Sequence, residues 1–123
     1  MKPSAQFHTK LSVEQLDAVR WQLVALLAFY SAKYDSMTIV PAGTVTDFAS
    51  VPRIPLAFWL FAGIGQAAAV IHDWLYGCGT VPRKVADDIF LEAMEACGVP
   101  TWRRIPMYWA VRAFGAGRYS KAG

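Results

Sequence analysis

The stretch from Arg83 to Cys97 constrains this chain most. Ala86, Phe90, Ala93, Met94 and Cys97 recur at helical spacing and form one apolar face. Gly98 follows where a left-handed helix end belongs, and Pro100 stands just beyond it. The pattern predicts a helix over Arg83 to Cys97. A helix is also expected over Gln66 to Tyr76, ended by Gly77 and Gly79. The link from Gly77 to Pro82 is short, so these two helices should run antiparallel and pack side by side. A last helix is expected from about Pro106 to Phe114, with Pro106 near its first turn. Met107, Tyr108, Val111 and Phe114 would make its inner face.

The N-terminal part has a different texture. Met37 to Val40 reads as a short strand stopped by the turn signal Pro41-Ala42-Gly43, and Val45 to Phe48 as another. Leu11 to Ala32 fits two patterns. Its Leu and Ala content suits a helix, whereas Arg20 to Leu23 and Phe29 to Tyr34 suit strands. The expected architecture is α+β in a single domain over residues 1–123. Small N-terminal β-strands at about 20–50 precede a three-helix C-terminal part at about 54–115.

With 55% hydrophobic and 17% charged residues, the chain can offset its ordering entropy by burial, which excludes a disordered protein. Two cysteines exclude a disulfide-dense scaffold. No signal-peptide pattern opens the sequence. Ile54 to Ile71 carries no charge, at the lower limit for a membrane span. Pro55, Gly63, Gly65 and Gln66 interrupt it, so it reads as a turn and a buried helix. Phe58-Trp59-Leu60-Phe61 is the expected exposed apolar patch and a candidate for interfacial lipid contact.

The charges are segregated. Asp73, Asp87, Asp88, Glu92 and Glu95 face only Arg83 and Lys84 in their segment. From Gly98 onward there are Arg103, Arg104, Arg112, Arg118 and Lys121, and no acid. This reads as a basic helix beside an acidic one, or as a surface for an anionic partner such as a membrane or wall polymer. No nucleic-acid-binding motif accompanies the basic segment, so specific nucleic-acid binding is not expected.

Three short segments hold the candidate site residues. In Thr46 to Arg53, Asp47 and Ser50 suit a side-chain-stabilised turn, or Asp47 a metal with Ser50 and Arg53 touching substrate. In His72-Asp73-Trp74-Leu75-Tyr76, His72 and Tyr76 share a helix face. Asp73 lies near the C-terminal end of a helix, where a carboxylate is unfavourable without a partner. In Arg83 to Phe90, the helical wheel puts Asp87 about 75° from the apolar direction and Asp88 about 175° from it. Asp87 should therefore meet the neighbouring helix and His72, while Asp88 should face water with Glu92 and Glu95. A histidine oriented by a carboxylate is a general-base pair; the bland alternative is a buried polar network that fixes helix packing. Asp47, His72, Asp73 and Asp87 together suit a divalent ion. Cys97 reads as core.

Taken together, TDFASVPR (Thr46 to Arg53), HDWLY (His72 to Tyr76) and RxxADxIF (Arg83 to Phe90) resemble a phage- and prophage-associated family of unknown function. The similarity runs from about Trp21 to Phe114. It implies a viral or prophage origin, favours strands over Trp21 to Tyr34, and brings no established activity. A phage virion or the host cytoplasm is the location it implies, with virion or tail proteins as partners.

HDxxY followed by DxxF also resembles the secreted phospholipases A2, at His72, Asp73, Tyr76, Asp87 and Phe90. That resemblance implies His72 as base, Asp73 as calcium ligand and Asp87 as the orienter of His72. The Gly-rich calcium loop of that family is absent, and so are its crossing disulfides; whether Cys78 and Cys97 pair on export is left open by the sequence. The functional expectation is a small His–Asp hydrolase acting on lipid or cell-envelope material. Its catalytic residues would be His72, Asp87 and Tyr76, its metal ligands Asp47 and Asp73, and its substrate contacts Ser50, Arg53 and Arg83. The alternative is a non-enzymatic virion, tail or lysis-associated protein in which the same residues are structural.

Overall fold

The computed structural model describes residues 3–18, 20–46, 65–116 and 119. Among these residues six short strands precede three helices, the α+β arrangement expected. The strands are β1 (Gln6–Phe7), β2 (Val13–Gln15), β3 (Trp21–Leu23), β4 (Leu27–Ser31), β5 (Ser36–Val40) and β6 (Val45–Thr46). The helices are α1 (Gln66–Cys78), α2 (Arg83–Ala96) and α3 (Thr101–Phe114).

All pairings are antiparallel, in two three-stranded sheets ordered β1-β4-β5 and β2-β3-β6. The ambiguity over Leu11 to Ala32 resolves into strands. Aromatic and β-branched residues there have sheet partners, which outweighs the helix propensity of Leu and Ala. Strand structure also begins earlier than expected, at β1 and β2. The predicted strand over Val45 to Phe48 appears as Val45–Thr46; Phe48 lies outside the described residues.

The β4–β5 hairpin carries the sheet side of the core. Leu27, Phe29 and Val40 are fully buried, and α1 and α2 pack on this sheet. From the helices, Ile71, Ile89, Phe90, Met94 and Val111 complete the same cluster. Burying each such side chain contributes roughly 1.5–3 kcal/mol, so this shared interior is what presses the helices onto the hairpin.

Helix ends follow the expected glycines, with shifts. α1 continues through Gly77 to Cys78, and Gly79 caps it in the left-handed conformation, its N–H reaching the Leu75 carbonyl at 3.1 Å. α2 ends at Ala96. There Gly98 (φ 87°) lets its own N–H bond Glu95 O and the Val99 N–H bond Met94 O, each at 3.0 Å. This is the paired-carbonyl closure that a glycine permits.

α3 starts earlier than Pro106 predicted. The Pro100 carbonyl accepts from the Arg103 and Arg104 N–H groups at 3.0 and 2.9 Å, so the helix opens at Thr101. Pro106 sits inside it, without an N–H to offer the carbonyl four residues back. Tyr108 and Phe114, expected on the inner face, are half-buried and exposed, whereas Met107, Ala110 and Val111 face the core. The inward direction is kept; Tyr108 stands about 100° from Met107, at the edge of that face, and Phe114 is in the final turn.

Cys78 and Cys97 are free thiols. No helix among the described residues is long and apolar enough to cross a membrane. Residues 54–64, including Phe58-Trp59-Leu60-Phe61, lie outside the described residues.

Gly98→Ala tests the α2 closure. Nothing lies within 4 Å of the added Cβ, so the loss is backbone strain alone. We expect a stability decrease of about 1–2 kcal/mol in urea denaturation with the fold unchanged.

Candidate functional site

Asp87 is the meeting point of the three helices. Its register on α2 points it at α1, because the short link after α1 returns α2 antiparallel beside it. His72 Nε2 lies 2.8 Å from Asp87 Oδ1, and the Tyr76 hydroxyl donates to the same oxygen at 2.5 Å. Arg112 Nη1, near the end of α3, donates to Oδ2 at 2.8 Å. Arg83 stands one turn before Asp87, its Nη1 3.8 Å from Oδ2. Its guanidinium donates to the Val111 and Arg112 carbonyls at 3.0 and 3.1 Å, closing the C-terminus of α3.

The sequence placed His72, Tyr76 and Asp87 together, and the structure does so. Arg83, expected against substrate, ties α2 to α3. Arg112 was missed as a member. The cue was present in the charge segregation, where an acid-rich helix precedes an acid-free basic one.

The cluster is enclosed. His72 is 2% exposed and Asp87 is 0% exposed. The imidazole lies between the rings of Tyr76 and Phe90, at centroid distances of 4.1 and 4.4 Å. Burial pulls the His72 pKa down, more than the neighbouring Asp87 and Asp73 raise it. The imidazole is therefore neutral near pH 7, and Nε2 must carry the proton it gives to the carboxylate. Burial alone would raise Asp87, but the donors His72, Tyr76 and Arg112 outweigh it and hold the carboxyl below its ordinary range. Tyr76 is pushed well up by burial and by its bond to Asp87.

Tyr76 also fixes the chain beyond α3. A Cβ on Gly115 would stand 2.8 Å from the Tyr76 hydroxyl and 2.5 Å from the Val111 carbonyl. Tyr119 meets the Tyr76 ring edge-on at 5.5 Å and donates to the Val81 carbonyl at 2.6 Å.

Asp88 corrects the wheel. It was expected in water, yet it is 5% exposed. Its Oδ2 accepts from Tyr34 at 2.5 Å, Lys84 at 3.0 Å and Lys33 at 3.1 Å, and its Oδ1 from Tyr108 at 2.6 Å. These donors overcome burial and hold Asp88 well below the carboxylate range. Burial and Asp88 push Tyr34 and Tyr108 up to about 12. Glu92 is likewise covered, accepting from Ser31 Oγ at 2.5 Å and from the Ala32 and Lys33 N–H groups at 3.1 Å. The β4–β5 turn folds over this side of α2, which a single-helix wheel does not contain.

Asp73 lies elsewhere. It lines a cleft of about 330 Å³ with Thr44, Val45, Thr46, Val70, Trp74, Gly77 and Cys78. At 100° per residue the cleft-lining side of α1 points about 165° away from His72, so His72 and this cleft are on opposite sides of the helix. Asp47, Ser50 and Arg53 lie outside the described residues. Among the described residues, no three His, Cys, Asp or Glu side chains are placed to hold a metal ion. His72 and Asp87 are bonded to each other, and Asp73 turns away from both.

Comparison with known proteins gives a family without an assigned activity. The family model DUF1353, described as a protein of unknown function, matches residues 21–111. An uncharacterised protein, y4jT, of Sinorhizobium fredii (strain NBRC 101917 / NGR234) is 42% identical over 83 residues. The match covers 62% of this chain and 23% of that relative. No solved structure matches the chain.

Two outcomes follow from the geometry. Stability should fall with acid in two steps. Below about pH 6.5 the unfolded chain takes up a proton that folded His72 refuses; below about pH 3.8 it takes up protons that Asp87 and Asp88 refuse. Melting temperature against pH should show both, and His72→Gln should flatten the upper step. Gly115→Ala should displace the Tyr76 hydroxyl from Asp87. We expect a loss of about 1–3 kcal/mol, read by urea denaturation.

Proposed function

The chain belongs to the DUF1353 family of proteins of unknown function, and from that premise we propose that it is non-enzymatic, with its polar cluster acting as a lock between helices. The enclosure of the His72–Asp87 pair carries this reading, since both side chains are buried. A general base has to reach a substrate proton. Here both Asp87 oxygens are occupied by α1 and α3 side chains, and His72 faces away from the cleft on α1. Buried charges of this kind are retained where every partner is satisfied.

The biological setting proposed is a phage or prophage, with the chain a component of a virion, tail or lysis apparatus. The order of the TDFASVPR, HDWLY and RxxADxIF segments supports that setting.

A second reading, a small His–Asp hydrolase of lipid or cell-envelope material, is favoured by one observation. The 2.8 Å contact between His72 Nε2 and Asp87 Oδ1 is what a carboxylate-oriented base requires, and it leaves Nδ1 as the proton acceptor. On this reading Asp47 and Asp73 are the candidate ligands of calcium or another divalent ion, and Ser50 and Arg53 the substrate contacts. Arg83, the third substrate contact of this reading, is also bonded to the end of α3.

His72→Ala and Asp87→Asn separate the two readings. A lock loses its buried pairing, at a cost of about 3–5 kcal/mol for Asp87→Asn. The melting temperature should then fall by about 10 °C or more, and the wild type should not hydrolyse phospholipid or peptidoglycan, with or without calcium. Wild-type hydrolysis that both variants abolish at unchanged melting temperature would overturn the lock and establish the hydrolase.

A further inference from the structure

α3 is apolar on two faces. Met107, Ala110 and Val111 point into the core. On the other side Trp102 and Trp109 are each 63% exposed and Ile105 is 37% exposed. At 100° per residue, Trp102, Ile105, Trp109 and the exposed Ala113 fall within about 80° of one another, roughly opposite the buried face. The two indoles stand about 10 Å apart along the helix. Phe114, 66% exposed, adds apolar surface at the C-terminal end. A protein surface that offers two tryptophans, an isoleucine and a phenylalanine on one helix marks a contact site.

The charge around the stripe identifies what it contacts. The Arg103 guanidinium lies 5.2 Å from the Trp102 ring, whereas Arg104 is on the far side of the helix and donates to the Val99 carbonyl at 3.0 Å and the Thr101 hydroxyl at 3.2 Å. No acid occurs between Gly98 and Gly123, while Arg118 and Lys121 follow in the sequence. Arg112 is committed to Asp87, so it adds little outward charge. A second copy of the chain is a poor occupant. A two-fold contact would bring one acid-free basic segment against another.

Tryptophan with arginine on an amphipathic surface helix is the composition that settles at a bilayer interface. The indoles enter the headgroup boundary, and the guanidinium groups attract anionic lipid. We infer that the outer face of α3 docks this protein on an anionic lipid bilayer through Trp102, Ile105 and Trp109, with Arg103, beside Trp102, supplying the charge selectivity. The contact lies on the surface and does not depend on whether His72 and Asp87 form a lock or a dyad. Binding is read without turnover, so failure of either proposal leaves the other intact.

The test is co-sedimentation of the full chain with vesicles. One set is phosphatidylcholine alone, and the other is phosphatidylcholine and phosphatidylglycerol in equal parts. Wild-type protein should bind the anionic set more tightly, less so at high salt, with a blue shift of tryptophan emission. Trp102→Gln with Trp109→Gln should weaken that binding by about tenfold or more at unchanged melting temperature. Arg103→Gln keeps both indoles and gives an independent check. It should weaken binding to the anionic vesicles by about fivefold and leave binding to phosphatidylcholine unchanged. Equal sedimentation with and without anionic vesicles overturns the inference. So does a dimer that the double tryptophan variant dissolves, or a single-stranded oligonucleotide that displaces the protein from vesicles by binding the same tryptophans.

Discussion

Everything the helices do depends on one carboxylate. Asp87 is buried without solvent, and a buried charge costs several kcal/mol unless it is paired and hydrogen-bonded. The fold meets that cost by bringing donors from both sides: His72 and Tyr76 from α1, and Arg112 from α3. None of these is close to Asp87 in sequence. The carboxylate is satisfied only when all three helices are in place, which couples their positions more tightly than apolar packing alone. Hydrophobic contact tolerates sliding; a carboxylate with two directed oxygens does not.

The next residue applies the same logic in another direction. Asp88 and Glu92 face away from α1 and take their donors from the β4–β5 turn and from Tyr108. α2 therefore joins the helices through Asp87 and the sheet through Asp88 and Glu92. Acid weakens both junctions, since both aspartates are held below their ordinary range by donors that matter only while the carboxylates are ionised.

The parts of this arrangement legible in the sequence are those set by local periodicity. The α2 face, its Gly98 closure and the His72–Asp87 pairing follow from helical spacing and a short loop. Asp88 was misplaced because a wheel describes one helix in water, and the turn that covers it is contributed by Lys33 and Tyr34, over fifty residues earlier. The start of α3 was misplaced because Pro106 suggests a first turn, whereas Pro100 already supplies one. The β1 and β2 strands carry too few residues to show a period. The bonds from Arg83 to the end of α3 were not legible, because charge does not reveal a helix end that needs closing. Asp47, Ser50 and Arg53 belong to a stretch outside the described residues, so the convergence of the three motifs is supported by two of them.

The lock also bears on the surface of the protein. Arg112 and Arg83 hold the C-terminal end of α3 from beneath, through Asp87 and the last helical carbonyls. Met107 and Val111 hold the same helix by burial. α3 is thus fixed in rotation as well as position, and its rotation decides which residues face outward. Trp102, Ile105 and Trp109 are exposed because Met107, Ala110 and Val111 on the other side of the helix are turned into the core; Arg112, about 20° from Ile105 on the wheel, reaches back to Asp87 from the edge of the stripe. A rigid helix presents its indoles without having to order them on contact, which removes an entropic cost that a loose segment would bear.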